Sequence, residues 1–325
     1  MMGTEKTYVL IHLWPTAGGF KKRMDMLMDV LDKRCRTIKV RTLRDFAKFL
    51  RLGRRTIGPM SILVYGSFVA PFLALVRLRY RDAPVYYMVR GDEVTYAKQA
   101  GRPVQAHVAL FCQRILKGLG CRFVFVCEDL RMLFEERLGA FKNSLFLPNT
   151  SGRPMPAVRK MDGRIALVGD FGTVKNTEWA IQRLSHGQYE VDLYGAREVP
   201  TEWRRPWLTC RGVVANLTQE LTDRPALLLL PYIDAGFPNV LIEALLAGCP
   251  VVVHDKFPFR HLPVHPAWRF ALSEDHVGSP GTEPSDLEVF LGGLRDQYRD
   301  FREDNTDLLH MVESDWEERV WEILG

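Results

Sequence analysis

The chain has 325 residues, 47% of them hydrophobic and 26% charged, with no low-complexity tract. Those values exclude a disordered or fibrous protein, and the length exceeds what one hydrophobic core usually serves, so two domains are expected. The net charge of +5 divides unevenly, with 26 Lys and Arg against 12 Asp and Glu in residues 1–150 and 18 against 27 in residues 151–325.

The N-terminus is polar and carries no signal-peptide pattern. YVLIHL (Tyr8 to Leu13) is strand-like and is followed by the loop WPTAGGF. In KKRMDMLMDVLDKR, Met24, Leu27, Met28 and Leu31 recur at helical spacing. TIKV, SILVY, PVYYMV and FVFVC are further strand-like runs, each followed by a helix-like segment. Thr56 to Val76 carries no charge and has the length of a bilayer span. Gly58, Pro59, Gly66, Ser67 and Pro71 divide it, however, and a buried strand followed by a helix explains it better. LFLPNTSGRPMPAVRKMDG (Leu145 to Gly163) has three prolines and no periodicity, as an interdomain linker would.

The alternation then restarts with the strands RIALVGD, YEVDLYG, ALLLLPY and PVVVHD and the helices TEWAIQRL and NVLIEALLAG. Uninterrupted apolar strands between helices imply parallel sheets covered on both faces. Two such halves leave a cleft, and ligands in such folds bind beyond the carboxyl ends of the strands. Asp307 to Leu324 reads as one acidic helix with Leu308, Met311, Val312, Trp316, Val320 and Ile323 as its buried stripe. The expected domains are 1–150, 151–305 and a crossing helix over 306–325.

The strongest chemical signal is DAGFPNVLIEALLAGCPVVVHD (Asp234 to Asp255). Pro238 suits a first helical turn, Gly248 a helix C-terminus, and Pro250 the opening of the next strand. The helix therefore begins after Gly236-Phe237-Pro238, where exposed N–H groups can hold a phosphate or sugar hydroxyls. Asn239 and Glu243 share a helical face, and a carboxylate there can accept both hydroxyls of a ribose. The plainer alternative is a capped amphipathic helix with a solvated Glu243. Its apolar surroundings argue against that, because a charge buried without a partner is costly.

At these residues the chain resembles family 4 of the glycosyltransferases, retaining enzymes of the GT-B fold whose signature is EGFPxxxxEAxxxGxPV. Glu243 matches the second glutamate, which holds the ribose in the family, and Ala235 stands where the first would hold the donor sugar. Asp234, one position away, is a candidate replacement. LVGDFGTVKN (Leu167 to Asn176) resembles the family's GR-to-lysine segment. Lys175 matches the lysine that neutralises the donor pyrophosphate, and Asp170 takes the arginine's place.

WPTAGGF resembles the N-terminal glycine loop, with Gly18 and Gly19 letting backbone approach the donor phosphates and the acceptor. FLPNT resembles the family's PNG segment through Asn149, and SDWEERVWEIL resembles its closing tryptophan helix. YMVRGDE falls where many members carry a histidine near the reacting sugar, which makes Arg90, Asp92 and Glu93 site candidates.

The resemblance implies an α/β fold of two Rossmann-like domains whose parallel sheets face across a cleft (GT-B), with a C-terminal helix crossing back to the first domain. It implies hexosyl transfer with retention from a UDP or GDP sugar to a glycan or lipid-linked acceptor, in envelope glycan synthesis, with no metal and no other cofactor. Lys175, Arg90 and Asp92 would be catalytic. The donor would lie on Gly18, Gly19, Asp170, Lys175, Asp234, Gly236, Phe237, Pro238, Asn239 and Glu243.

Six cysteines without a CxxC pair fit a reduced, cytoplasmic compartment. KFLRLGRR and VRLRYR would rest the basic first half on the anionic inner face of a membrane. His12, His107, His254 and His261 show no metal-ligand spacing. The rival readings are a non-catalytic relative that binds nucleotide or glycan, and a Rossmann oxidoreductase, which lacks its GxGxxG here. Nucleic-acid binding is not expected.

Overall fold

The computed structural model describes residues 6–13, 18–52, 58–159, 163–171, 175–184, 188–233, 237–256, 258–272, 285–294 and 300–324. They form two compact units, residues 1–148 with 317–325, and residues 149–316.

In the first unit, β1 (Thr7–Ile11), α1 (Gly18–Asp32), β2 (Arg36–Val40), α2 (Leu43–Arg51), β3 (Met60–Tyr65), α3 (Ala70–Arg79) and β4 (Val85–Val89) alternate in order. There follow α4 (Glu93–Gln99), α5 (Pro103–Gly118), β5 (Arg122–Phe125), α6 (Glu128–Leu138) and β6 (Leu145–Phe146). The strands form one parallel sheet in the order β2-β1-β3-β4-β5-β6. Both faces of β1 and β4 are buried, which is why those runs are apolar without alternation. Thr42 and Asp45 form a reciprocal capping box that starts α2. The uncharged stretch enters the described residues at Gly58 and is β3, a 3-10 turn over Ser67–Val69, and the beginning of α3. Among the described residues no helix is long and apolar enough to cross a membrane.

The proline-rich segment differs from its expected linker role at its start. Leu145 and Phe146 join the sheet as β6, and the Leu147 N–H continues the ladder to the Phe125 carbonyl at 2.8 Å.

The second unit contains β7 (Arg164–Val168), α7 (Thr177–Arg183), β8 (Glu190–Tyr194), β9 (Leu208–Gly212), α8 (Leu217–Asp223), β10 (Leu227–Leu230), α9 (Asn239–Leu246) and β11 (Val251–His254). It continues with β12 (Arg269–Phe270), α10 (Asp286–Leu294), α11 (Phe301–Asp304) and α12 (Thr306–Glu313). Its parallel sheet runs β12-β11-β10-β7-β8-β9. Counted from β7, that is the 3-2-1-4-5-6 order of a Rossmann domain. Gly248 ends α9 at φ +75, and a Cβ there would lie 2.7 Å from the Ala157 carbonyl oxygen. Only glycine meets both conditions.

The acidic C-terminal stretch is two helices, not one. Ser314, at φ −56 and ψ 145, breaks it, and α13 (Trp316–Leu324) belongs, apart from its first residue, to the first unit. There Lys6 Nζ and the Tyr8 hydroxyl donate to the Leu324 carbonyl at 2.8 and 2.5 Å, and Lys33 pairs with Glu317 at 2.5 Å.

Candidate functional site

In an open parallel sheet the strand order reverses at one point, and the loops leaving the two strands there diverge to opposite faces. The crevice this opens, beyond the carboxyl ends of the strands, is where ligands bind. In the second unit the two strands are β7 and β10, neighbours in the sheet. The loop after β7 carries Gly169, Asp170 and Lys175, and the loop after β10 carries Tyr232, Phe237 and Pro238 into α9.

The two loops meet on Tyr232, a residue the motif comparison passed over. Its ring is buried, and its hydroxyl donates to the Val168 carbonyl at the end of β7. Burial, and then the nearby carboxylates of Glu243 and Asp170, push its phenol well above the ordinary value, so it stays a donor. The Lys175 ammonium lies over the same ring, 3.9 Å from its centroid. The lysine reaches it by passing Gly169, where an added Cβ would stand 2.7 Å from Lys175 Cγ. A glycine at 169 is therefore needed to let the lysine lie as it does.

Asn176, left-handed at φ 53, turns the chain into α7, and Thr177 Oγ1 donates to the Asp170 carbonyl at 3.0 Å. Asp170 itself is exposed.

Pro238 caps α9 from just outside, with φ −73 and ψ 130, and Asn239 is the first helical residue. Buried Asn149 donates its amide to the Phe237 carbonyl at 2.7 Å, fixing the loop that precedes the helix. Glu243 is half-buried on α9, and its carbonyl accepts from Thr218 Oγ1 at 3.2 Å. Asp170, Lys175, Phe237, Pro238, Asn239 and Glu243 thus share one switch point. Asp234 and Gly236 lie outside the described residues.

His254, at the end of β11, is fully buried between the Phe259 and Phe270 rings. Its Nδ1 accepts from the Lys256 N–H at 3.1 Å while its Nε2 reaches the Tyr232 carbonyl at 2.5 Å. That pattern fixes a neutral ring protonated at Nε2. Burial lowers its pKa, as it does for His12 at the end of β1, where the Arg41 charge adds to the effect. A base whose folded pKa is depressed gives full stability above its unfolded value, near about 6.5, and loses stability as pH falls through that value. The unfolding free energy should therefore fall from pH 7 towards pH 5.5, by at most about 1.4 kcal/mol per pH unit for each histidine, and the melting temperature should fall with it. His254→Gln, which keeps a donor for Tyr232, should flatten that slope. An unchanged slope would show that His254 is not the titrating group.

The first unit holds the other candidates. Gly18 and Gly19 open α1. Arg90 donates to the Leu147 carbonyl at 3.3 Å, tying the end of β4 to the chain after β6. Asp92, 2% exposed, caps α4 through the Val94 and Thr95 N–H groups. Its two carboxylate oxygens also take Arg137 at 2.6 and 2.7 Å. Glu93 accepts from the Ser67 N–H at 3.1 Å and from the Ser67 hydroxyl, and burial pushes its pKa up. Among the described residues no three His, Cys, Asp or Glu side chains are grouped to hold a metal ion. A cleft lined by Pro59, Met60, Tyr80, Asp82 and Pro84 opens at the amino ends of β3 and β4, the opposite end from such sites.

No protein-family model and no curated protein matches this sequence. Solved structures do match it in fold. TarM, which has been crystallised from S. aureus with UDP, is 12% identical with a TM-score of 0.62 over 81% of this chain. The match takes in 53% of TarM, so the chain spans about half of that protein. OtsA is 10% identical with a TM-score of 0.60, covering 99% of this chain and 98% of its own. AviGT4, a glycosyltransferase involved in avilamycin A biosynthesis, is 10% identical with a TM-score of 0.55, covering 99% and 96%. At such identities the likeness is one of fold, and the chain has the two Rossmann-like domains of GT-B proteins.

Proposed function

We propose that the chain is a glycosyltransferase that binds a nucleoside-diphosphate sugar at the β7–β10 switch point. The observation that carries this reading is a cation, Lys175, seated over the buried ring of Tyr232 at the switch point whose next helix, α9, carries the carboxylate of Glu243. A ribose needs an acceptor for its hydroxyls and a diphosphate needs a cation, and both lie where α/β sheets bind nucleotides. The N-terminus of α9 adds oriented N–H groups.

In this reading the reaction retains configuration and needs no bound metal. The bond from the anomeric carbon to the phosphate oxygen breaks, and that carbon bonds to the acceptor hydroxyl on the same face. The hydroxyl's proton passes to the departing phosphate oxygen. Lys175 and the α9 N-terminus stabilise the charge left on the diphosphate. Arg90 and Asp92 position the first unit's strand ends. The acceptor is a lipid-linked or envelope glycan, met at the inner face of a membrane.

Thermal denaturation with UDP, GDP and related nucleotides in the presence of EDTA tests the donor site. A ligand at about 100 times its dissociation constant adds about 2.7 kcal/mol to the native state. No stabilisation by any nucleotide would remove the donor site. Stabilisation that EDTA abolishes would overturn metal independence.

A second reading has a specific observation behind it. Ala235 and Asp170 stand where the family resemblance leads one to expect a glutamate and an arginine. A chain that binds UDP tightly but neither transfers nor hydrolyses the sugar would be a regulatory relative.

A further inference from the structure

The crossovers from β2 to β3, β3 to β4 and β4 to β5 all advance in one direction along the sheet. Right-handed crossovers therefore set α2, α3 and α5 side by side on one face. Contacts agree: Phe46 of α2 packs edge-on against Phe72 of α3 at 5.4 Å, and α3 packs on α5. The inner residues of this layer, among them Leu73, Val76, Ala109 and Leu116, are buried.

The outer residues are what an ordinary solvated helix would not carry. Val104, Val108 and Phe111 form one line along α5 at helical spacing, 76%, 43% and 62% exposed. Leu75 and Leu78 on α3 are 50% and 69% exposed. Around them the exposed charge is almost wholly positive. Arg79, Arg81, Lys98, Arg102 and Arg114 are exposed, and residues 70–81 and 94–127 contain no Asp or Glu. Asp82, just past α3, is the adjoining exposed acid. On the α2 flank stand exposed Arg44, Lys48 and Arg51.

We propose that the outer face of α3 and α5, flanked by α2, docks on an anionic lipid surface. Leu75, Leu78, Val104, Val108 and Phe111 enter the boundary between headgroups and acyl chains, and the arginines sit on lipid phosphates. Apolar side chains ringed by arginine match that boundary, whose upper layer is anionic and whose lower layer is apolar. A second copy fits worse, because a two-fold contact would set this arginine-rich face against itself. The inference rests on the membrane part of the reading above and is independent of the donor site.

The test is co-sedimentation of the full chain with phosphatidylcholine vesicles, with and without phosphatidylglycerol. Binding should require phosphatidylglycerol and weaken with salt. The double variant Leu78→Glu with Phe111→Glu should bind about tenfold or more weakly, as should Arg79→Gln with Arg114→Gln, which spares the apolar residues. The melting temperature of each variant checks its fold. Equal binding to both vesicles, no binding, or unaltered binding by folded variants would overturn the proposal. So would a dimer in light scattering that Leu78→Glu with Phe111→Glu dissolves. Vesicle binding without any response to nucleotides would strike the donor site alone.

Discussion

Lys175→Ala should slow sugar transfer by about 10²-fold or more, the scale seen when one preorganised electrostatic group is lost. Charge on the diphosphate grows as the glycosidic bond breaks, so a cation beside it binds the transition state better than the ground state. The structure adds the reason this lysine is preorganised. Gly169 leaves room for its stem, and the Tyr232 ring holds its ammonium 3.9 Å from the centroid. Asp170 occupies the place of the motif's arginine, so the loop's charge stabilisation falls on Lys175. Stability should change by about 1 kcal/mol or less, the size of a cation–π contact. Steady-state rates and a melting curve on one preparation separate the two effects. Full activity in the variant would take Lys175 out of the mechanism and move the regulatory reading ahead.

Glu243→Gln should weaken nucleotide binding by about 1–3 kcal/mol, which is about 5- to 150-fold in dissociation constant. An ionised carboxylate accepts both ribose hydroxyls, whereas an amide offers one oxygen and must turn its donors away. The side chain is half-buried, so water does not fully replace the lost interaction. The helix should survive, because glutamine propagates a helix about as well as glutamate does. Calorimetry with whichever nucleotide stabilises the chain reads the change directly. Unchanged affinity in a folded variant would place the ribose elsewhere.

Much of this was legible in the residues because a parallel sheet buried on both faces must be built from unbroken apolar runs. YVLIHL, PVYYMV and ALLLLPY could hardly be anything else. The edge strands β9 and β12 escaped for the converse reason. β9 is half-exposed along its length and β12 has two residues, so neither carries an apolar run.

At the candidate site, spacing singled out Lys175 and Glu243, since a motif preserves short-range order. Tyr232 was invisible because its importance comes from contacts with Val168 and Lys175, each more than fifty positions away. Asp92 shows the same gap in the other direction. A carboxylate after a strand looks available until Arg137, 45 positions on, is folded against it.

The break at Ser314 also bears on the order in which the protein comes into being. The second unit is one uninterrupted stretch, 149–316, and can mature as soon as it leaves the ribosome. The first is discontinuous: β1, made before the whole of the second unit, offers the Tyr8 hydroxyl to a carbonyl at Leu324, 316 positions later. The unit synthesised first is therefore the unit completed last. Until residue 324 emerges, the surface that α13 will cover stays open, and a nascent chain needs protection there.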